Sequence, residues 1–168
     1  MYEAADIGTA IHSHCHFINT DQPPDYIPEE FEPIIAAYGD WFNATIKEVI
    51  NAEELVISYK YRYAGRVDML AIIKGDKLPT VIDIKTSRDI YPSMGLQLAG
   101  YQQGYKEAGI KANRRMIVHL DKILKGKVKT KEYRDHAKDL TMFLYALELY
   151  KYFEGGKTND RTDIIKVG

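Results

Sequence analysis

The chain has 168 residues, a length that suits a single domain, 1–168, with a sizeable core. It is 45% hydrophobic and 28% charged with a net charge of −1, the balance of an ordinary globular protein, and its overall charge advertises no nucleic-acid partner. Cys15 is the only cysteine, which excludes a disulfide framework; without a membrane-length apolar run or a basic-then-apolar N-terminus, a cytoplasmic location and no membrane partner are expected.

Residues 3–19 read as a short helix with Ile7, Ala10, Ile11 and His14 on one face. Thr20-Asp21-Gln22-Pro23-Pro24-Asp25 is a break. Ile27-Pro28-Glu29-Glu30 opens a longer helix to about Asn51, with Phe31, Ile34, Ile35, Tyr38, Phe42, Ile46 and Val49 near the helical period. From Leu55 the period becomes two, predicting a strand with Tyr59, Tyr61 and Tyr63 on one face, and Gly65 permits a bend or bulge. Val67–Ile73 and Thr80–Lys85 are the next strands, so the three form an antiparallel meander. Pro92–Gly109 reads as a helix, Arg115–Leu120 and Val128–Tyr133 as strands, and Asp135–Phe153 as a long helix stopped by Gly155-Gly156. Residues 155–168 are expected to be a loosely held tail. The order ααβββαββα predicts an α/β fold: a central mixed sheet flanked by helices.

Charge is unevenly spread. Residues 111–138 hold ten Lys/Arg against three acids, a +7 segment. Two readings stand: a basic wall beside an acidic centre, or a solvated hairpin whose lysines protect an edge strand.

The densest chemistry lies in Gly65-Arg66-Val67-Asp68 and Val81-Ile82-Asp83-Ile84-Lys85-Thr86-Ser87. On a strand, Asp83 and Lys85 share a face and Ile82 and Ile84 take the other. If Asp68 lies on the neighbouring strand, two carboxylates and an ammonium converge, and a hard cation, Mg²⁺ or Mn²⁺, is the natural occupant. Such an ion neutralises phosphate and lowers the pKa of bound water, while Lys85 can hold the water or a phosphoryl oxygen. The Ile84 carbonyl is a further oxygen ligand candidate. The competing reading is two turn-capping aspartates and a snorkelling lysine; the apolar neighbours of Asp83 weaken it.

Gln97 and Tyr101 are four apart and share a helix face, where Gln97 can orient a phosphate or water and Tyr101 can contact DNA. His12 is a candidate Mn²⁺ ligand; His12, His14 and His16 cannot all face one site. Glu54 is a candidate extra carboxylate, whereas Glu53 reads as a turn acid. Most of the 13 tyrosines suit core packing; some could stack on unpaired bases.

Gly8-Thr9-Ala10-Ile11-His12, Gly65-Arg66-Val67-Asp68, Asp83-Ile84-Lys85-Thr86-Ser87 and Gln97-Leu98-Ala99-Gly100-Tyr101 together resemble the PD-(D/E)XK nuclease superfamily, in its RecB-like and Cas4-like exonuclease branch. The resemblance implies a restriction-endonuclease-like core. It implies that His12, Asp68 and Asp83 are metal ligands, Lys85 the catalytic lysine, and Gln97 and Tyr101 the helix motif. Arg66, Thr86, Ser87 and Tyr101 are the expected DNA contacts. The second acid is Asp83 rather than the commoner Glu, and the four cysteines of cluster-bearing relatives are missing, so no iron–sulfur cluster is expected. Little sequence precedes Gly8, which suits a minimal domain or one cut from a larger polypeptide, and a phage or bacterial setting is expected by resemblance.

The expected function is Mg²⁺- or Mn²⁺-dependent DNA hydrolysis, exonucleolytic, on single strands or duplex ends, in recombination, repair or replication. The rivals are an endonuclease or resolvase of the same fold, an RNA-processing enzyme of that fold, and a nucleic-acid-binding subunit active only with a protein partner or as a homo-oligomer.

Overall fold

A computed structural model describes residues 4–22, 26–121, 126–154 and 165–166. Pro23, Pro24 and Asp25, Lys122 and Lys125 of the basic segment, and the expected tail from 155, apart from Ile165 and Lys166, lie outside the described residues. The elements in chain order are α1 (Ala4–Asn19), α2 (Glu32–Thr45), β1 (Ile46–Ser58), β2 (Tyr63–Ile73), β3 (Thr80–Lys85), α3 (Ser93–Glu107), β4 (Arg114–Leu120), β5 (Val128–Glu132), α4 (His136–Glu154) and β6 (Ile165–Lys166).

The sheet runs β1-β2-β3-β4-β5, with β6 beside β2. β1, β2 and β3 form the expected antiparallel meander. β3 and β4 are parallel, a pairing that needs a crossover, and α3 supplies it. β5 closes the sheet antiparallel to β4. The result is the expected α/β fold, a mixed sheet flanked by helices.

Alternation along the strands divides the core in two. Met69, Ala71, Ile82, Ile84, Val118 and Leu120 pack under α1 and α2 against Ile11, Cys15, Ile34, Ile35 and Tyr38. Leu70, Val81 and Ile117 pack under α3 against Leu98, Tyr101 and Tyr105. α4 lies outside α3 and seals Tyr63 with Phe143 and Leu147. The Phe143 ring is edge-on to Tyr63 at 4.9 Å, and the Tyr63 hydroxyl donates to the Gly100 carbonyl at 2.7 Å.

Two boundaries differ from the sequence reading. The long helix expected to about Asn51 stops at Thr45, and Ile46–Asn51 begin β1. Ile46 and Val49 do keep the helical period, but they pair with Ile73 and Ala71 of β2, and ladder bonds along an existing strand outweigh a weak local preference. The strand expected through Tyr63 ends at Ser58, and residues 59–62 turn, with Arg62 at φ 60°. Tyr59, Tyr61 and Tyr63 therefore share no strand face. Gly65 carries no bulge, since it pairs in register with Val56; the irregularities of β1 fall between Ile46 and Glu48 and between Val49 and Asn51.

The +7 segment divides between the two readings. Arg115 is fully buried, with Nη1 donating to the Gly95 carbonyl and paired with Asp139 at 2.9 Å, so it belongs to no basic wall. Arg114 lies between Asp76 and Glu132. Lys129 and Lys131 stand exposed on β5, the edge of the sheet, where lysines discourage strand addition.

Candidate active site

The site begins with the alternation of β3. Ile82 and Ile84 are committed to the α1 and α2 side, so Asp83 and Lys85 project from the opposite face. Lys85 Nζ stands 2.7 Å from Asp83 Oδ2. Asp83 is only 2% exposed. Burial, then the negative charge of Asp68, pushes its carboxyl up to about 7 against the opposing pull of Lys85.

Asp68 is brought there by β2. The β2–β3 pairing ends at Met69 and Ile82, and Asp68, the next residue of β2, leaves the ladder beside Asp83 and Ile84. Asp68 Oδ2 accepts the Ile84 N–H at 2.5 Å. In an extended strand the N–H and C=O of one residue face the same neighbour. The Ile84 carbonyl therefore also faces the β2 edge, beside Asp68. On the other side of β2, Ala52 pairs with Met69 and Glu54 with Val67, which sets Glu53 opposite Asp68. Glu53, Asp68 and Asp83 thus lie near one another on three adjacent strands.

α1, which covers the other face, supplies the second wall of the site. His12 Nδ1 is 3.8 Å from Asp68 Oδ2, a contact of charge rather than a hydrogen bond. Burial draws the imidazole pKa down, but Asp68 and Asp83 outweigh it and hold it above the ordinary value. A pocket of about 780 Å³ opens between them, lined by Gly8, Thr9, His12, Ser13, His16 and Phe17 of α1 and by Glu53, Asp68, Lys85, Thr86 and Ser87. The α1 members repeat at intervals of one and four, a single helical stripe. Ile11 and Cys15 face the core instead.

The structure brings together His12, Asp68, Asp83, the Ile84 carbonyl, Lys85, Thr86 and Ser87. Gln97 Nε2 donates to the Tyr101 hydroxyl at 2.8 Å, as their spacing predicts. Tyr101 is 1% exposed, and burial together with Asp83 and Asp68 drives its phenol upward. This corrects its expected role as a DNA contact: a buried ring can support Gln97 but has no surface for a strand. Ser87 lines the pocket, but its hydroxyl already donates to the Asp89 carbonyl. His119 Nε2 donates to the Ser87 carbonyl at 2.6 Å, which fixes the chain after β3. Arg66 is exposed and donates to the Glu53 carbonyl outside the pocket lining.

Glu54 is displaced from the site. It accepts a hydrogen bond from Asn51 Nδ2 at 2.6 Å, and on the α3 side it adds to the burial that raises the Tyr105 phenol. Its neighbour Glu53 lines the pocket, with its carboxyl raised by burial and by Asp68. Glu53 takes a left-handed φ of 54°. No sequence pattern announces a left-handed glutamate. His16 was legible: it lies four residues from His12 and so on the same helix face. His14 is structural, held by the Ala10 and Tyr26 carbonyls at 2.7 and 2.9 Å.

Among the described residues, no three His, Cys, Asp or Glu side chains are gathered into a ready-made metal cage. The donor set nonetheless suits a hard cation: two neighbouring carboxylates, a strand carbonyl at their edge, and open pocket space for water. Mg²⁺ binds in this way, through one or two carboxylates while keeping several waters. No protein-family model matches this chain, and no curated protein matches it in sequence.

Proposed function

We propose that this chain is a Mg²⁺- or Mn²⁺-dependent deoxyribonuclease that hydrolyses phosphodiester bonds in DNA. The observation that carries the reading is the buried Asp83 carboxylate, paired with Lys85 and within the field of Asp68, with Lys85 and Asp68 lining one pocket. Two like charges close together, one of them buried, are costly unless something compensates them. Asp68, Asp83, the Ile84 carbonyl and His12 would hold the ion. When bound, it supplies charge neutralisation and a water of lowered pKa.

Lys85 holds its ammonium against Asp83 at 2.7 Å and is only partly buried, so its remaining protons are available to a water or a phosphoryl oxygen in the pocket. It donates; it has no acceptor. Gln97 offers a side-chain oxygen and is itself fixed by the Tyr101 hydroxyl. Thr86, with Ser87 held by His119, forms the floor next to the lysine.

Lys85→Ala is expected to lower cleavage by about 10²–10³-fold, the scale of a lost electrostatic donor, while DNA affinity changes little. End-labelled linear DNA with Mn²⁺, Mg²⁺ or EDTA tests this. EDTA and Asp68→Asn should each abolish cleavage. Undiminished hydrolysis by Lys85→Ala, or in EDTA, would overturn the reading.

A further inference from the structure

Beyond Asp68, moving away from Lys85, the pocket changes character. Its far half lies between Ser13, His16 and Phe17 of α1 and Glu53 of β1. Adjacent strands are about 4.8 Å apart, so Glu53 is roughly 10 Å from the Asp83 position, across β2. Along α1, His12 and His16 are about 6 Å apart at 1.5 Å per residue. The distance from Lys85 to Glu53 exceeds one nucleotide step, so a strand whose scissile phosphate lies at Lys85 and which continued this way would bring a later phosphate over Glu53. A carboxylate repels a phosphate. The Arg66 guanidinium is engaged with the backbone carbonyl of Glu53 and does not line the pocket.

What a carboxylate accepts is a hydrogen-bond donor. The donor at the end of a nucleic-acid strand is a sugar hydroxyl. His16 adds a ring nitrogen, Nδ1, that is shielded from solvent and has no hydrogen-bond partner. Ser13 adds a hydroxyl, and the partly exposed Phe17 ring adds an apolar surface for a sugar or base. We propose that this half-pocket is a subsite for a strand end, in which Glu53 accepts the terminal sugar hydroxyl and rejects a continuing phosphodiester. The inference rests on the nuclease reading and deepens it, because it makes the substrate a chain terminus rather than an internal bond.

The test uses the full chain carrying Lys85→Ala, so that substrate survives, with single-stranded oligonucleotides read by fluorescence anisotropy in Mg²⁺. The four probes end in 3′-hydroxyl, 3′-phosphate, 5′-hydroxyl and 5′-phosphate. At one of the two ends the hydroxyl form should bind about ten-fold tighter than the phosphate form, the scale of a hydrogen bond to a charged group. That end names the source of the hydroxyl. Adding Glu53→Gln should shrink the ratio to within about two-fold, because the amide still accepts but no longer repels phosphate. Glu53→Gly should shrink it too, while the melting temperature stays level or rises as the left-handed backbone relaxes. Equal binding of all four probes by Lys85→Ala overturns the proposal. So does a ratio untouched by Glu53→Gln, or a fall in melting temperature in both Glu53 variants. Wild type that cleaves no DNA would sink the nuclease reading separately, since these binding ratios do not depend on hydrolysis.

Discussion

Asp83 concentrates the electrostatic conflict of this molecule in one side chain. It is buried, lies within the field of Asp68, and has Lys85 as its compensating charge. Burial, with Asp68 beside it, pushes its carboxyl up from the ordinary 3.8 to about 7. A raised carboxyl pKa means that the folded state holds the proton more tightly than the unfolded one. The associated stability is therefore full below about 3.8 and is lost as pH rises through about 7. In EDTA the protein should melt lower at pH 8 than at pH 5. Asp83→Asn should flatten that slope and, at pH 8, raise the melting temperature by about 2–4 °C, the equivalent of roughly 1 kcal/mol in a chain of this size. The same variant should lose the rise that Mn²⁺ gives wild type. Differential scanning fluorimetry reads both effects, and a metal-free Asp83→Asn that melts lower than wild type at pH 8 would contradict the account. The sequence exposed this residue well, because an acid inside Val81-Ile82-Asp83-Ile84 has to be explained. It hid Glu53, because choosing between neighbouring glutamates needs the backbone angle.

At the scale of elements, α3 shows how a poor helix sequence becomes a good one. Gly95, Gly100 and Gly104 lower its intrinsic propensity. Each gives up a side chain where a neighbour presses in. A Cβ on Gly100 would meet the Phe143 ring at 2.8 Å, and one on Gly104 would run into Val56. The helix therefore sits close to β1 and α4, and it sets Tyr101, with Gln97 bonded to it, within the field of Asp83 and Asp68. Gly104→Ala adds about 1 kcal/mol of helix propensity but overpacks against a β-branched side chain, at a cost of about 1–3 kcal/mol. The net expectation is a less stable protein with a lower urea midpoint and an unchanged m-value. A stabilised variant would mean that α3 is not held tightly to β1. The boundary between α2 and β1 illustrates the opposite case. Ile46-Lys47-Glu48-Val49-Ile50 satisfies a helical period, yet β2 offers a partner along its whole length, and pairing decides.

At the scale of the whole molecule, β2 is the spine. It pairs with β1 along its length, with β3 from Met69 to Ala71, and with β6 at Tyr63 and Ala64. Gly65–Asp68 fall between the last two pairings, and this stretch borders the site. α1 closes the same region from outside by burying Ile11 and Cys15. Cys15 has no exposed surface, and burial, with Asp68 nearby, pushes its thiol upward. Only the thiolate reacts. Iodoacetamide at pH 8 should leave the native protein unlabelled and modify Cys15 only at denaturant concentrations that unfold the whole molecule. Labelling well before the global transition would show that α1 opens independently and that the pocket wall is a separate cooperative unit.

The sequence by itself determined the order of elements from α1 to α4, though not the sixth strand beside β2, along with the meander, the face shared by Asp83 and Lys85, and the pairing of Gln97 with Tyr101. All of these follow from periods of 2 and 3.6 acting over a few residues, which are local geometry. Only the tertiary structure decided the rest. It ended α2 at Thr45 and turned the chain at residues 59–62. It buried Arg115 and Tyr101, and it placed Glu53 rather than Glu54 opposite Asp68. Those outcomes depend on strand register and on which surfaces meet, and both are set by partners distant in the chain.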